Sequence, residues 1–265
     1  MTQQGQANAH SQSLERGLAI LAAFEPGRTL LGVSELARAV ELGRSTTHRY
    51  VATLARLGYL QQDEATRKYR LGPRVLDLGF SAINSMELRE ISAPHLHQLA
   101  EETGHTCNMA ILDGVDVVYI ERVRSSRPGN EVGIELDLHI GSRLPAYCTS
   151  MGKVLLAFLP DCPREELLDR IELVQRGPNT LTERRALERE LRRVRRAGVA
   201  VNNEELAYGL RSVGAPVRSQ SGAVVAAINL AVHRSLGTVD ELVRQFGEPL
   251  QRTARDISAR IGYRA

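Results

Sequence analysis

Apolar residues recur at helical spacing through the first sixty positions. Within 13–24, Leu14, Leu18, Leu21 and Ala22 form one stripe, and Ser13 is placed to cap the helix start. The stretch 34–60 then reads as two short helices joined by a tight turn. Leu36, Ala37 and Val40 give the first an apolar side. Glu41-Leu42-Gly43-Arg44 makes the turn, with Gly43 free to take a left-handed backbone and Ser45 predicted as the next N-cap. On the second helix Thr47, Tyr50, Val51 and Leu54 should face inward, which leaves Ser45, Thr46, His48, Arg49, Thr53 and Arg56 facing out. Two strand-like runs, Tyr59-Leu60 and Tyr69-Arg70-Leu71, flank a polar loop tipped by Arg67 and Lys68, the pattern of a short hairpin.

Gly72-Pro73 closes that hairpin and marks a boundary. Leu76, Phe80, Ile83 and Glu87 then share one side of a further helix, which either packs on its own chain or pairs with a second copy. Ser92-Ala93-Pro94 restarts a helix that Gly104 stops. Strands at 106–112 and 115–123 are turned by Asp113-Gly114. Val132, Ile134, Leu136, Leu138 and Ile140 alternate with polar residues as a half-buried strand would. After 141–145 come an apolar helix at 150–159 and helices around 164–171 and 183–196. Strands at 198–202, 213–218 and 223–232 precede a closing helix at 239–261. Helices mixed with mainly antiparallel strands indicate an α+β fold.

The 265 residues suffice for two modest domains. Net charge is only +3, but its placement is uneven. Residues 1–75 hold ten Lys/Arg against six Asp/Glu, a net of +4; the remainder hold 24 against 25. The positive excess therefore lies with the two-helix segment, where a phosphate-binding module needs it. Residues 1–12 are polar, neither signal peptide nor anchor, and read as a flexible tail. No apolar run reaches membrane-span length. Cys107, Cys148 and Cys162 lack C-x-x-C spacing, so neither a disulfide framework nor a zinc ribbon is expected, and the expected location is the cytoplasm.

Every outward residue of the second helix can hydrogen-bond and none is acidic, which suits a helix lying in the DNA major groove with a wing beside it. An ordinary αα-hairpin with a solvated face is the competing reading. His95, His97, His105 and Cys107 have metal-ligand chemistry, but His95 and His97 are two apart on a helix and point apart; no metal is expected. Cys148 and Ser150 lack a G-x-S-x-G elbow and an assignable base, so no catalytic residue and no cofactor are expected. The basic run 183–198 carries a Leu187, Leu191, Val194 stripe and reads as a solvated helix face. The segment 147–152 precedes an apolar helix. It either cradles a carboxylate at the helix N-terminus or simply caps the helix.

Four segments in order resemble the IclR family of transcriptional regulators: SLERGLAIL; SELARAVELGRSTTHRYVATLARLGYL with KYRLGPRVLDLG; GSRLPAYCTSMGKVLLAFLP; and NNEELAYGLRSVGAPV with GAVVAAINLAV. The third and fourth are most similar to the branch controlling protocatechuate, 4-hydroxybenzoate and β-ketoadipate breakdown. The resemblance implies a winged helix-turn-helix at 13–73, a linker and dimerisation helix at 74–92, and a GAF-like effector-binding domain at 93–265. It implies double-stranded operator DNA and a small organic acid as partners, and a homodimer that pairs into a tetramer, acting as repressor or activator.

Carried over by position, the DNA-facing set is Ser34, Arg44, Ser45, Thr46, Thr47, His48, Arg49, Thr53, Arg67, Lys68 and Arg70. The effector set is Tyr147, Cys148, Thr149, Ser150, Met151, Asn202, Ser212 and Asn229. Relatives often have Leu-Pro-Lys where Leu42-Gly43-Arg44 stands, Val at Thr47 and Asp at Asn202. The missing anion at Asn202 favours a more acidic effector, such as a dicarboxylate. The rival from another class is a small-molecule carrier or metabolic enzyme fronted by a helical hairpin. A third, a DNA-binding architectural protein without a ligand, sits badly with the weakly acidic second half.

Overall fold

A computed structural model describes residues 11–25, 27–84, 87–127 and 138–264. The chain divides into two compact units, Met1–Ser85 and Met86–Ala265. Of the expected alternating strand, Val132, Ile134 and Leu136 lie outside the described residues, as do most of the expected tail and Pro26, while Leu138 and Ile140 are described and belong to no strand.

The first unit runs α1 (Gln12–Ala22), α2 (Val33–Ala39), α3 (Arg44–Arg56), an antiparallel pair β1 (Leu60–Gln62) and β2 (Tyr69–Leu71), then α4 (Arg74–Asn84). Ile20, Leu31, Leu36, Val51, Leu60 and Tyr69 form its core. Of the expected α1 stripe, Leu21 packs against this core, but Leu14 and Leu18 do not. Leu14 and Leu18 are 63% and 57% exposed, and Ile20 is the fully buried anchor. The cap is also displaced, from Ser13 to Ser11, whose hydroxyl accepts from the Leu14 amide.

The second unit opens with α5 (Glu87–Thr103), continuous through Pro94. The helix expected to restart at 92–94 therefore begins earlier; α4 and the first turns of α5 fall within the expected linker helix at 74–92, and residues 85 and 86 lie outside the described residues. Strands β3 (Thr106–Asp113), β4 (Asp116–Val123), β5 (Arg143–Pro145), β6 (Ala200–Asn203), β7 (Leu210–Arg218) and β8 (Val224–His233) make one antiparallel sheet, ordered β5-β4-β3-β8-β7-β6. Between β5 and β6 lie α6 (Ser150–Phe158), α7 (Asp161–Arg170) and α8 (Arg184–Ala197), and α9 (Val239–Arg260) closes the chain. Short β5 falls in what the pattern suggests is a loop.

Strand alternation splits the apolar residues between two cores. Met109, Ile120, Val213, Ile228 and Leu230 pack with Leu96, Leu99, Phe246 and Leu250 of α5 and α9. Ala110, Tyr119, Leu210 and Ala227 pack on the opposite face with Met151, Val154, Leu187 and Leu191 of α6 and α8. Glycine sets the spacing on that second face. A Cβ on Gly214 would stand 3.0 Å from the Ser150 carbonyl carbon, and one on Gly152 would stand 2.1 Å from the Ala146 carbonyl oxygen. Gly152→Ala should therefore lower the unfolding free energy by about 3 kcal/mol. A denaturant midpoint equal to that of the parent would refute this seating of α6.

Candidate nucleic-acid interface and effector site

The turn between α2 and α3 is built differently from its sequence expectation. Glu41, at φ 52, takes the left-handed position, while Gly43 is extended at φ −61, ψ 141 and serves as the N-cap of α3. Ser45 thus sits inside the first helical turn and caps nothing. The Leu42 amide donates to the Ala37 carbonyl at 3.0 Å and closes the end of α2. At its start, the Glu35 carboxylate accepts from the Gly32 amide at 2.7 Å. That bond, then the Lys68 ammonium, holds the Glu35 carboxyl below its usual range.

No side chain caps α3, so its first-turn amides face outward. Arg44, Ser45, His48 and Arg49 line an open concavity with Val33. Ser34 is exposed on the first turn of α2. Thr46 is half-buried, and the Thr53 hydroxyl donates back to the Arg49 carbonyl at 2.9 Å. Thr47 leaves the DNA-facing set. Its side chain is fully buried and donates to the Gly43 carbonyl at 3.1 Å, holding the turn instead of facing out.

In the hairpin, Asp63 Oδ1 accepts from the amide and hydroxyl of Thr66, which lowers its pKa and tightens the loop. Arg67 sits at the tip with φ 59, exposed and without an ion pair among the described residues. Arg70 pairs across the strands with Gln61 at 3.3 Å. Lys68 lies 3.1 Å from Glu35, so its charge is already shared.

In the second unit, a 3-10 turn at Ala146–Cys148 leads into α6. Thr149 is the N-cap, its hydroxyl accepting from the Gly152 amide at 3.1 Å. The Tyr147 hydroxyl is spent on Val174, donating to its carbonyl at 2.7 Å and accepting from its amide at 3.2 Å. Cys148 is buried, with its thiol pushed up to about 12 by desolvation, and Met151 is wholly inside the core. These four residues of the expected effector set hold α6 in place.

The others converge. Ser150 Oγ and Ser212 Oγ share a hydrogen bond of 2.7 Å, and Asn229 Nδ2 donates to Ser150 Oγ at 3.3 Å. All three are almost wholly buried. Asn202 stands beside Ser212 in the β6–β7 register, and its Oδ1 accepts from the Glu205 amide at 2.9 Å. On α6 itself, fully buried Lys153 bridges Glu205 at 2.6 Å and Glu190 at 3.3 Å. Burial raises the Glu205 carboxyl, and its second oxygen has no partner. Sequence reasoning passed over Asn108, which donates to Asn229 Oδ1 at 2.8 Å. The signal was available, because Asn108 is the one amide in the otherwise apolar run 107–112.

Two family models cover nearly the whole chain. The IclR helix-turn-helix domain matches residues 13–64, and the bacterial transcriptional regulator IclR C-terminal domain matches residues 80–259. The chain belongs to the IclR family. A Pca regulon regulatory protein of Pseudomonas putida is 37% identical over 92% of this chain and 82% of its own. The solved structure of an IclR family regulator from Brucella abortus matches with a TM-score of 0.82 at 27% identity, covering 98% of this chain and 96% of that one. An IclR homologue from Microbacterium hydrocarbonoxydans, solved with 4-hydroxybenzoate, matches with a TM-score of 0.79 at 27% identity, covering 94% and 99%.

The protein is thus an IclR-type transcriptional regulator, not an enzyme, with a helix-turn-helix domain and a C-terminal effector domain. Among the described residues no cluster of His, Cys, Asp or Glu could hold a metal, and no helix is long and apolar enough to cross a membrane. His105 stacks edge-on against Phe246 at 5.3 Å, a packing role.

With Thr47 inward, Thr47→Val should leave the operator sequence preference unchanged, read as relative affinity across single-base operator variants. A changed preference at any base would return Thr47 to the reading face.

Proposed function

We propose that this IclR-type regulator binds operator DNA through α3 and the hairpin, and that an aromatic-catabolic organic acid bound beside the N-terminal turn of α6 alters that binding. Arg44, Ser45, His48 and Arg49 read or orient on the major groove, joined by Ser34, Thr46 and Thr53 at its edge. Arg67 and Arg70 meet phosphates, with Lys68 contributing less because Glu35 already shares its charge. The observation that carries the effector half is the buried meeting of Ser150, Ser212 and Asn229 between α6 and the sheet. Hydroxyls and amides grouped in an apolar interior are costly unless they serve a fold or a ligand. The relative solved with 4-hydroxybenzoate supports the ligand, as does the likeness to the Pca regulator.

A second copy of the chain is the natural cover for Leu14 and Leu18 of α1 and for Leu76 and Leu78 of α4, each more than half exposed. A homodimer spaces two readers along DNA, and pairing of dimers gives a tetramer. Domain limits at 13–73 and 93–265, joined through 74–92, and a cytoplasmic location complete the reading.

Fluorescence anisotropy on DNA from the protein's own upstream region tests it, against scrambled DNA at fixed salt. Protocatechuate, 4-hydroxybenzoate and β-ketoadipate are added in turn. Upstream DNA should be preferred, and one of the acids should change its affinity. Arg49→Ala should cost about 1–3 kcal/mol of specific binding, and Arg67→Ala should reduce the salt slope by about 1. Equal binding to scrambled DNA would move the weight to the carrier or enzyme reading.

A further inference from the structure

The row of polar side chains does not stop at Asn229. Asn108 Oδ1 accepts from Arg122 Nη1 at 3.0 Å, while Asn108 Nδ2 donates to Asn229. Strand register explains the alignment. Arg122 of β4 stands opposite Asn108 of β3, which stands opposite Asn229 of β8. Three adjacent strands therefore carry one connected row, and Asn229 passes it to Ser150 and, through Ser150, to Ser212.

Arg122 is the only charged member of that row. A guanidinium has five N–H donors. Asn108 engages one, and Nε is buried with no partner. Among the described residues no carboxylate pairs with it. The neighbouring Glu121 is turned to the opposite sheet face, where it meets Arg89 of α5 at 3.0 Å. Burial and the Arg124 charge both disfavour the cation, so Arg122 stays charged against its surroundings. An uncompensated, partly buried cation is costly, and an arriving anion relieves that cost.

We infer that Arg122 receives the carboxylate of the effector at the β4 end of the row, with the Ser150 and Ser212 hydroxyls holding the ligand's other end. The inference rests on the effector site proposed above. Ser212 lies on β7, three strand spacings or roughly 14 Å from the β4 backbone, so the long Arg122 side chain and the Ser150 hydroxyl on α6 must both reach over the sheet to meet the two ends of one small acid. One cation in an otherwise neutral row matches one carboxylate and leaves a second unpaired. The site therefore favours aromatic monoacids over dicarboxylates, the reverse of what Asn202 alone suggests. Asn202 Oδ1 is in any case occupied by the Glu205 amide.

Isothermal titration of the full-length protein tests this, with 4-hydroxybenzoate, protocatechuate and the uncharged 4-hydroxybenzamide as probes. The parent should bind a preferred acid at least about tenfold more tightly than the amide, as a charge-assisted bond requires. In Arg122→Met that preference should vanish, and Arg122→Lys should restore part of it. The acid-to-amide ratio is internal to each variant, so a general loosening of the site moves both ligands and leaves the ratio intact. An undiminished ratio in Arg122→Met overturns the inference and leaves the effector site standing. A parent that binds neither aromatic acid overturns the inference; β-ketoadipate, titrated alongside, then decides whether the effector site itself stands.

Discussion

Helix α6 can lie against the sheet only where side chains are missing. Gly214 of β7 faces the Ser150 backbone, where a Cβ would stand at a tight 3.0 Å, and Gly152 seats α6 on the Ala146 carbonyl of the preceding turn, where a Cβ would stand at 2.1 Å. This close approach brings Ser150 to within 2.7 Å of Ser212 and within reach of Asn229. The adjoining segments are tied down by groups the sequence marks as functional. Thr149 caps the helix and Tyr147 fastens the chain to Val174, while Lys153 on α6 bridges Glu205 and Glu190, the latter also paired with Arg193. Such a buried ion triad stabilises little by itself, but removing one partner would strand the others. The rigid frame and the polar row over it are therefore one construction.

The DNA-binding unit uses the opposite economy. Its core is small, and the start of α3 is held by backbone geometry more than by side-chain bonds. Glu41 in the left-handed region turns the chain, extended Gly43 starts α3, and buried Thr47 fastens to that start. The first-turn amides and the Arg44, His48 and Arg49 side chains are thereby left outward. Effector binding can act on such a reader only by favouring one arrangement of the protein over another.

Much of this was legible in the residues. Helical spacing located α2 and α3, Asp113-Gly114 located the β3–β4 turn, and the inward face of α3 at Thr47, Tyr50, Val51 and Leu54 follows from period alone. The misreadings share a cause, because local chemistry was overruled by neighbours distant in sequence. Gly43 looked like the left-handed residue, yet the turn needed that conformation at Glu41. Leu14 and Leu18 made the obvious stripe, but the core took Ile20. Tyr147, Thr149, Cys148 and Met151, read for ligand chemistry alone, also bond and pack around α6, a role set by the tertiary fold. Asn108 and Arg122 escaped notice because their partnership depends on the pairing of β3 with both β4 and β8, which no periodicity reveals.

The account stands or falls on whether the buried polar row is a ligand site or only internal scaffolding. The most direct measurement is a crystal structure of the full-length protein grown with the acid that most changes operator binding. The expected position of the acid is beside the N-terminal turn of α6, over the strands that carry Arg122, Asn108 and Asn229, within hydrogen-bond distance of Ser150 or Ser212. An acid bound elsewhere, with the Ser150–Ser212–Asn229 bonds unchanged, would contradict it.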